Sequence, residues 1–312
     1  PEYFLGGAQK LDVAASRRAI ETRIADPLKM TVLEAASGIR RIVDTRMADE
    51  VRVFAANRGV DLSAFTLLPF GGAGAVHAAA VAEELGMRRI LVPARPGAFS
   101  ALGLLCTDVV HDYIRSELKP LDAVTPEHVE EIYAQLEAKA HADLSTEGMR
   151  AADARFFREI DLRYAGQGYE LRTPLDGLFT GRLTAEALAA ARARFDERHA
   201  RIHGHSARNR PVEVVSYRLR LRVAVPRYKP REETSPGLPR PEGVAEKGKR
   251  SLFMSGGTAV EAAVYERDRL DVGSVIAGPA IIEQFDATTV IPPGWAGRVD
   301  GFRNLMLENK QP

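Results

Sequence analysis

Between Phe65 and Leu85 an apolar run, Phe-Thr-Leu-Leu-Pro-Phe, passes through Gly71, Gly72 and Gly74 into an alanine-rich stretch. The run is short and bounded by Pro69 and Gly71, which predicts a buried strand, and the alanine-rich stretch predicts a helix from about Gly74 to Leu85. A second short apolar run, Arg89 to Val92, predicts another strand after the helix. Strand, helix and strand in this order need a crossover, so the two strands are expected to be parallel neighbours with a right-handed connection. Upstream, Asp12 to Ala25 has helical spacing until Pro27 breaks it. Thr31 and Glu34 form a capping box that opens a long helix. Val32, Ala35, Ala36, Ile39, Ile42, Val43, Met47, Val51 and Phe54 keep an apolar stripe along it until Gly59, with Asp44, Arg46, Asp49, Glu50 and Arg52 on the other face.

Downstream, Ser100 to Val110 is apolar enough for a helix buried against the sheet. Thr125-Pro126 supplies an N-cap and a first-turn proline for a helix through about Gly148. Phe156 to Leu171 predicts a hairpin around Ala165-Gly-Gln-Gly168, and Thr184 to Ile202 another amphipathic helix. Val212 to Val225 alternates apolar residues with Arg218, Arg220 and Arg222, a strand with one wet basic face that fits a solvated edge or an acidic partner. The segment from Pro226 to Arg250 is rich in Pro, Gly and charge and predicts an exposed linker. Short β runs separated by glycine and proline turns fill Ser251 to Leu307, a rhythm that predicts a small barrel-like β module.

Bulk properties narrow the function by exclusion. The 312 residues suffice for about two domains, and a net charge of +1 argues against a dedicated nucleic-acid or membrane-surface binder. No stretch approaches the roughly 20 apolar residues of a membrane span, no signal peptide is visible, and a cytoplasmic location is expected. A single cysteine, Cys106, excludes an internal disulfide, and its apolar sequence neighbours predict a buried structural thiol.

The glycine turn is the strongest candidate for chemistry, because glycines let a flat or anionic ligand approach main-chain N–H groups. It fits neither standard phosphate fingerprint. The third glycine of the dinucleotide pattern is replaced in Ala75-Val-His77, and no Gly-Lys-Ser/Thr follows. His111 between Asp108 and Asp112, and the pair His203 and His205, invite metal or acid/base readings. Neither set converges three ligands by spacing, so hydrogen-bonding roles are favoured. Glu283 and Asp286 are the carboxylates to examine in the C-terminal β region.

Leu68-Pro-Phe-Gly-Gly-Ala-Gly-Ala-Val-His77, the stretch from Ile90 to Tyr113, Gly278-Pro-Ala-Ile-Ile-Glu-Gln-Phe285 and Thr289-Val-Ile-Pro-Pro-Gly-Trp295 together resemble the hydantoinase A/5-oxoprolinase family. Ala75 stands where proline is more usual in that family. The resemblance reaches nearly end to end, and Pro1-Glu-Tyr-Phe-Leu-Gly-Gly7 is similar to an internal stretch of the family, so the chain is expected to be the C-terminal portion of a longer polypeptide.

The fold this implies is α/β: half of an actin-like (ribonuclease H-like) ATPase domain over residues 1–118, an α+β domain over 119–226, a linker over 227–250 and a β-rich, barrel-like module over 251–312. The family's adenosine-binding loop falls on Gly71, Gly72, Ala73 and Gly74, with His77 near the site and with Asp44 and Arg46 on the helix that supplies ribose and base contacts. ATP and magnesium are the implied cofactors. Their phosphate loops, of the Asp-Gly-Gly-Thr type, are expected upstream, since Ser255-Gly-Gly-Thr258 lacks the acidic residue. The implied activity is ATP-dependent opening of a cyclic amide by phosphorylation of the ring carbonyl, with a hydantoinase B-type subunit as partner in an oligomer. A ketone carboxylase subunit of the acetone or acetophenone type, and a non-catalytic assembly fragment, are the alternatives. The catalytic residues are not assigned by the resemblance.

Overall fold

The structure is a computed structural model that describes residues 4–234, 245–254 and 258–310. In the amino-terminal region, helix α1 (Val13–Ile20) runs through a π-helical turn, Glu21–Ala25, into α2 (Asp26–Leu28), and α3 (Val32–Ala56) follows. Strand β1 (Thr66–Leu67) leads to α4 (Gly74–Glu84), β2 (Arg89–Val92) and α5 (Phe99–Leu104). Next come β3 (Val109–Pro120), α6 (Pro126–Thr146), β4 (Ala154–Tyr164), β5 (Leu171–Pro174), α7 (Ala185–His203) and β6 (Val212–Val223). The last strands are β7 (Glu246–Phe253), β8 (Ala259–Glu266), β9 (Val275–Ala277), β10 (Ala280–Glu283), β11 (Thr288–Ile291), β12 (Trp295–Val299) and β13 (Leu305–Asn309).

These elements form two compact units, one from the described residues of Pro1–Leu105 and Tyr228–Pro312, the other from Cys106–Arg227. The first unit holds two sheets, ordered β1-β2-β13-β12-β9 and β11-β10-β8-β7. Strands β1 and β2 are parallel neighbours as expected, and β13 then pairs antiparallel with β2, Leu307 opposite Ile90. The C-terminal β runs therefore do not close into a barrel among the described residues. Strands β9, β12 and β13 instead complete a sheet begun by β1 and β2. Their buried alternate residues, Leu305, Leu307 and Val299, share one core with Ile90, Val92 and the alanines of α4. Trp295, 2% exposed, anchors that core and donates from its indole nitrogen to Glu83 Oε1 at 2.7 Å.

Helix α3 begins with the capping box, Thr31 accepting from the Glu34 N–H and Glu34 from the Thr31 N–H. Its apolar stripe behaves differently from the expectation. Ile39, Ile42, Val43, Met47 and Phe54 are exposed, while Ala35, Asp44, Ala48 and Ala55 are buried. The small side chains let α3 approach α4 closely, so it is the alanine face that turns inward. Phe65 and Phe70 are likewise exposed, and β1 is confined to two residues. The helix expected over Ser100 to Val110 ends at Leu104 with Leu104 and Leu105 exposed, because Val109 already pairs with Val223 in a sheet.

The second unit is one antiparallel sheet, ordered β3-β6-β4-β5, with α6 and α7 contributing to its core. Tyr217, Leu219 and Leu221 of β6 bury beside Ile132 and Tyr133 of α6 and Phe195 of α7. Both helices start at the threonines that the sequence nominates, Thr125 and Thr184. Strand β6 is central rather than an edge, and its arginines are matched across the sheet. Arg218 pairs with Asp161, Arg220 with Asp112 at 2.8 Å and Arg222 with Asp108. Cys106 is half-buried. Residues 235–244 of the expected linker, and residues 255–257 of Ser255-Gly-Gly-Thr258, lie outside the described residues; β7 begins at Glu246, inside the expected linker.

Candidate functional site

The chain leaves β1 through Leu68-Pro69-Phe70 and reverses at Gly71, whose φ of +84° lies in the left-handed region that favours glycine. The Gly71 N–H donates to Pro96 O at 2.7 Å, so this amide is committed to the protein itself. Helix α4 starts at Gly74 with Ala73 as N-cap and no side-chain cap, which leaves its first-turn N–H groups without a capping side chain. Only part of the glycine run is sterically required. A Cβ on Gly74 would rest in ordinary contact with Pro69 at 3.5 Å, whereas one on Gly72 would stand 3.1 Å from the Asp286 carbonyl oxygen.

That carbonyl belongs to the loop between β10 and β11, the second wall of the site. Asp286 Oδ2 accepts from the Gly97 N–H at 3.0 Å, and Gln284 Nε2 donates to Ala94 O at 2.7 Å. A Cβ on Gly97 would fall 2.5 Å from Asp286 Oδ2, so glycine is needed there for the loops to meet. The other carboxylate oxygen, Asp286 Oδ1, is buried without a hydrogen-bond partner. Between the glycine turn and this loop lies a cavity of about 530 Å³, lined by Gly72, Ala73, Val76 and Phe285, with Phe4 and Leu5 adding apolar surface and Arg250 and Glu283 adding charge.

Glu283 is 3% exposed and lies between two cations, Lys247 Nζ and Arg250 Nη2, each at 2.8 Å. Burial by itself raises the Glu283 carboxyl, but the hydrogen bonds and charges of Lys247 and Arg250 outweigh it and hold the group below its ordinary value. Lys247 also reaches Glu266 at 3.0 Å, so the cluster ties β7, β8 and β10 together at the cavity wall.

Of the residues nominated from sequence, Gly72 and Ala73 line the cavity, and Gly71 and Gly74 shape the turn that leads to it. Asp44 and His77 are brought together: His77 Nδ1 lies 2.6 Å from Asp44 Oδ1, and the buried carboxylate can only accept, so the imidazole donates. Arg40 Nε lies 3.9 Å from the other Asp44 oxygen. Arg46 is exposed on α3, and it does not line the cavity. Phe285, Gln284 and Arg250 are the cavity-side residues that sequence reasoning did not single out. Gln284 and Phe285 sit in the Gly278–Phe285 stretch, where β periodicity marks a strand end but not a cavity wall.

The other candidates disperse. His111 meets Glu147 at 3.1 Å, while Asp108 and Asp112 are engaged by arginines. His205 Nδ1 donates to the His203 carbonyl at 3.0 Å, and among the described residues no group of three His, Cys, Asp or Glu side chains could hold a metal.

Against known proteins, the hydantoinase/oxoprolinase profile matches residues 1–113 and the hydantoinase/oxoprolinase C-terminal domain profile matches residues 121–310. An uncharacterised protein of Methanocaldococcus jannaschii is 34% identical over 309 residues, covering 98% of this chain and 42% of that protein. Caprolactamase subunit alpha of Pseudomonas jessenii is 30% identical over 301 residues, covering 95% of this chain and 42% of that subunit. The nucleotide-free structure of acetone carboxylase, solved in work on ATP-dependent acetone carboxylation, superposes with a TM-score of 0.77 at 28% identity, covering 99% of this chain and 44% of that one. The chain thus spans less than half the length of these relatives. Two profiles that between them match almost every residue, over a mixed α/β fold shared with acetone carboxylase, show that the chain belongs to the hydantoinase/oxoprolinase family.

Proposed function

We propose that this chain carries the adenosine side of the nucleotide site in an ATP-dependent enzyme that opens cyclic amides. The observation behind this reading is the glycine turn itself, which opens at Gly72 and Ala73 onto a largely apolar cavity of about 530 Å³. On this reading β1, the turn and α4 are the adenosine loop of an actin-like half-domain. Val76 and Phe285 offer apolar surface to a flat heterocycle, and the uncapped first turn of α4 offers N–H donors. The Asp44–His77 pair fixes α4 against α3 and so holds the loop in register with the cavity.

ATP, when bound, would supply the phosphoryl group that activates the amide carbonyl toward water, so that the ring C–N bond breaks with the nitrogen leaving as the amine and the phosphoryl group is released as inorganic phosphate. Magnesium would accompany the ATP phosphates; among the described residues no group of three His, Cys, Asp or Glu side chains gathers to hold it, and its protein ligands are proposed to belong to the phosphate loops of the longer polypeptide. The caprolactamase relative is a subunit, which supports a hydantoinase B-type partner in an oligomer.

The test uses the full-length polypeptide with its partner subunit, lactam and hydantoin substrates, and ATP. Ring opening that depends on ATP, with a raised KM for ATP in Gly72→Val and an unchanged KM for the amide, supports the reading; ring opening without ATP overturns it. The likeness to acetone carboxylase favours one second reading, ATP-dependent carboxylation of a ketone. Incorporation of labelled bicarbonate into product separates the two.

A further inference from the structure

The turn that follows β8 places a guanidinium where no carboxylate accepts a hydrogen bond from it. Arg267 is 5% exposed, and its Nη2 donates to the Arg303 carbonyl at 2.8 Å, while Nη1 is buried without an acceptor. Two more arginines face the same spot. Arg303 projects from a left-handed residue, φ +61°, in the turn between β12 and β13, and Arg95 comes from the loop after β2. The three surround a small cavity of about 50 Å³, completed by Ala94, Asp268, Leu270 and Val299.

Charge around the cavity balances, three arginines against Asp268, Asp300 and Glu233, but the hydrogen bonds do not. Asp268 pairs with Arg95 at 3.4 Å, and Glu233 pairs with Arg303 at 3.1 Å. Asp300, the remaining carboxylate nearby, spends its oxygens on the N–H groups of Phe302 and Asn304 and on the Asn304 amide. Arg267 thus feels Asp300 and Asp268 as neighbouring charges but has neither in ion-pair contact, and it is the most buried of the three. Burial, reinforced by the charge of Arg303, pushes it down to about 10. An arginine keeps its proton under almost all conditions, so a buried guanidinium with an unpaired N–H is held at a cost that a hydrogen-bonded oxyanion would remove.

We propose that this pocket binds one small oxyanion, a phosphate or carboxylate group, with Arg267 as the buried donor and Arg95 and Arg303 at its mouth. The planar fork of a guanidinium matches both kinds of oxyanion, and the volume excludes a nucleoside. The ligand is either a free anion or the terminal group of a larger molecule. Arg95 is also one residue from Pro96, whose carbonyl receives the Gly71 N–H, so one loop connects the pocket to the glycine turn.

The experiment is titration calorimetry on the full-length protein at constant ionic strength, with inorganic phosphate, acetate and pyrophosphate against a chloride control. Saturable binding of phosphate or acetate, weakened tenfold or more in Arg267→Met and in Arg95→Ala, supports the site. Pyrophosphate binding more tightly than phosphate identifies the terminal group of a larger ligand, and equal or weaker binding identifies a free anion; both support the site. Arg95 is exposed, so Arg95→Ala keeps the test alive if Arg267→Met fails to fold. No heat beyond the chloride control, which would mean that water alone satisfies Arg267, or unchanged affinity in Arg95→Ala, overturns the proposal.

Discussion

His77 Nδ1 and Asp44 Oδ1 are 2.6 Å apart, and through them the helix after the glycine turn is bound to the long helix that precedes it. The Asp44 side chain is 6% exposed and that of His77 24%, so most of the contact is shielded from water. Asp44→Ala removes a hydrogen bond to a carboxylate and leaves the imidazole without its acceptor; a loss of about 1.5–3 kcal/mol is expected. Urea unfolding of Asp44→Ala, His77→Ala and the double variant checks it. The double variant is expected to lose less than the sum of the singles, because the two changes delete the same interaction.

Gly97→Ala places a methyl carbon 2.5 Å from Asp286 Oδ2. The loops after β2 and β10 are then forced apart, with an expected cost of about 1–3 kcal/mol. Asp286→Gly in the same chain removes both the carboxylate and the Cβ that stands 2.8 Å away, so the pair is expected to be more stable than Gly97→Ala alone. Melting temperatures of the three variants decide the matter.

Glu283 gives the first unit a pH dependence whose sign is fixed by its partners. Its folded carboxyl sits below the ordinary 4.5 because Lys247 and Arg250 outweigh burial. Such a group contributes stability that is fully present above the unfolded value and is lost as pH falls through the folded one. Unfolding free energy measured from pH 6 down to pH 3 is therefore expected to fall more steeply in the wild type than in Glu283→Gln. Equal slopes would show that the ion cluster is not coupled to folding.

The second unit is one continuous stretch, Cys106–Arg227, with a core of its own. A fragment of these residues is expected to fold alone, with dispersed amide signals in NMR. In that core Phe195 is fully buried, and Phe195→Ala is expected to cost about 3–5 kcal/mol. A fragment that stays unfolded would show that its core needs the rest of the chain.

Local signals in the sequence were read well where they depend on local physics. The capping box at Thr31 and Glu34 and the caps at Thr125 and Thr184 start helices at the expected residues, since capping is settled within one turn. The C-terminal β runs were placed by their periodicity and turns, but not their partners. Pairing of β13 with β2 joins Leu307 to Ile90, a distance in sequence across which periodicity is silent. The same limit hid half of the candidate site. Gly72 announced itself as a glycine turn and Asp286 as a carboxylate to examine, but that Asp286 and Phe285 face the turn follows only from the fold. On α3 Ala35 and Val51 of the hydrophobic stripe turn inward but its larger residues Ile39, Ile42, Val43, Met47 and Phe54 do not, because burial follows the small alanines that let two helices approach.

The sheet that carries the glycine turn is assembled from distant parts of the chain, with β13 seated between β2 and β12. During synthesis β1, α4 and β2 leave the ribosome long before the strand that flanks them, and in the interval the β2 edge stands open. Residues 106–227, being contiguous, can condense in that interval. The nascent amino-terminal segment then waits for Leu305–Asn309, and a ribosome that stalls short of these residues would release a chain with an unsealed edge, the form most prone to self-association.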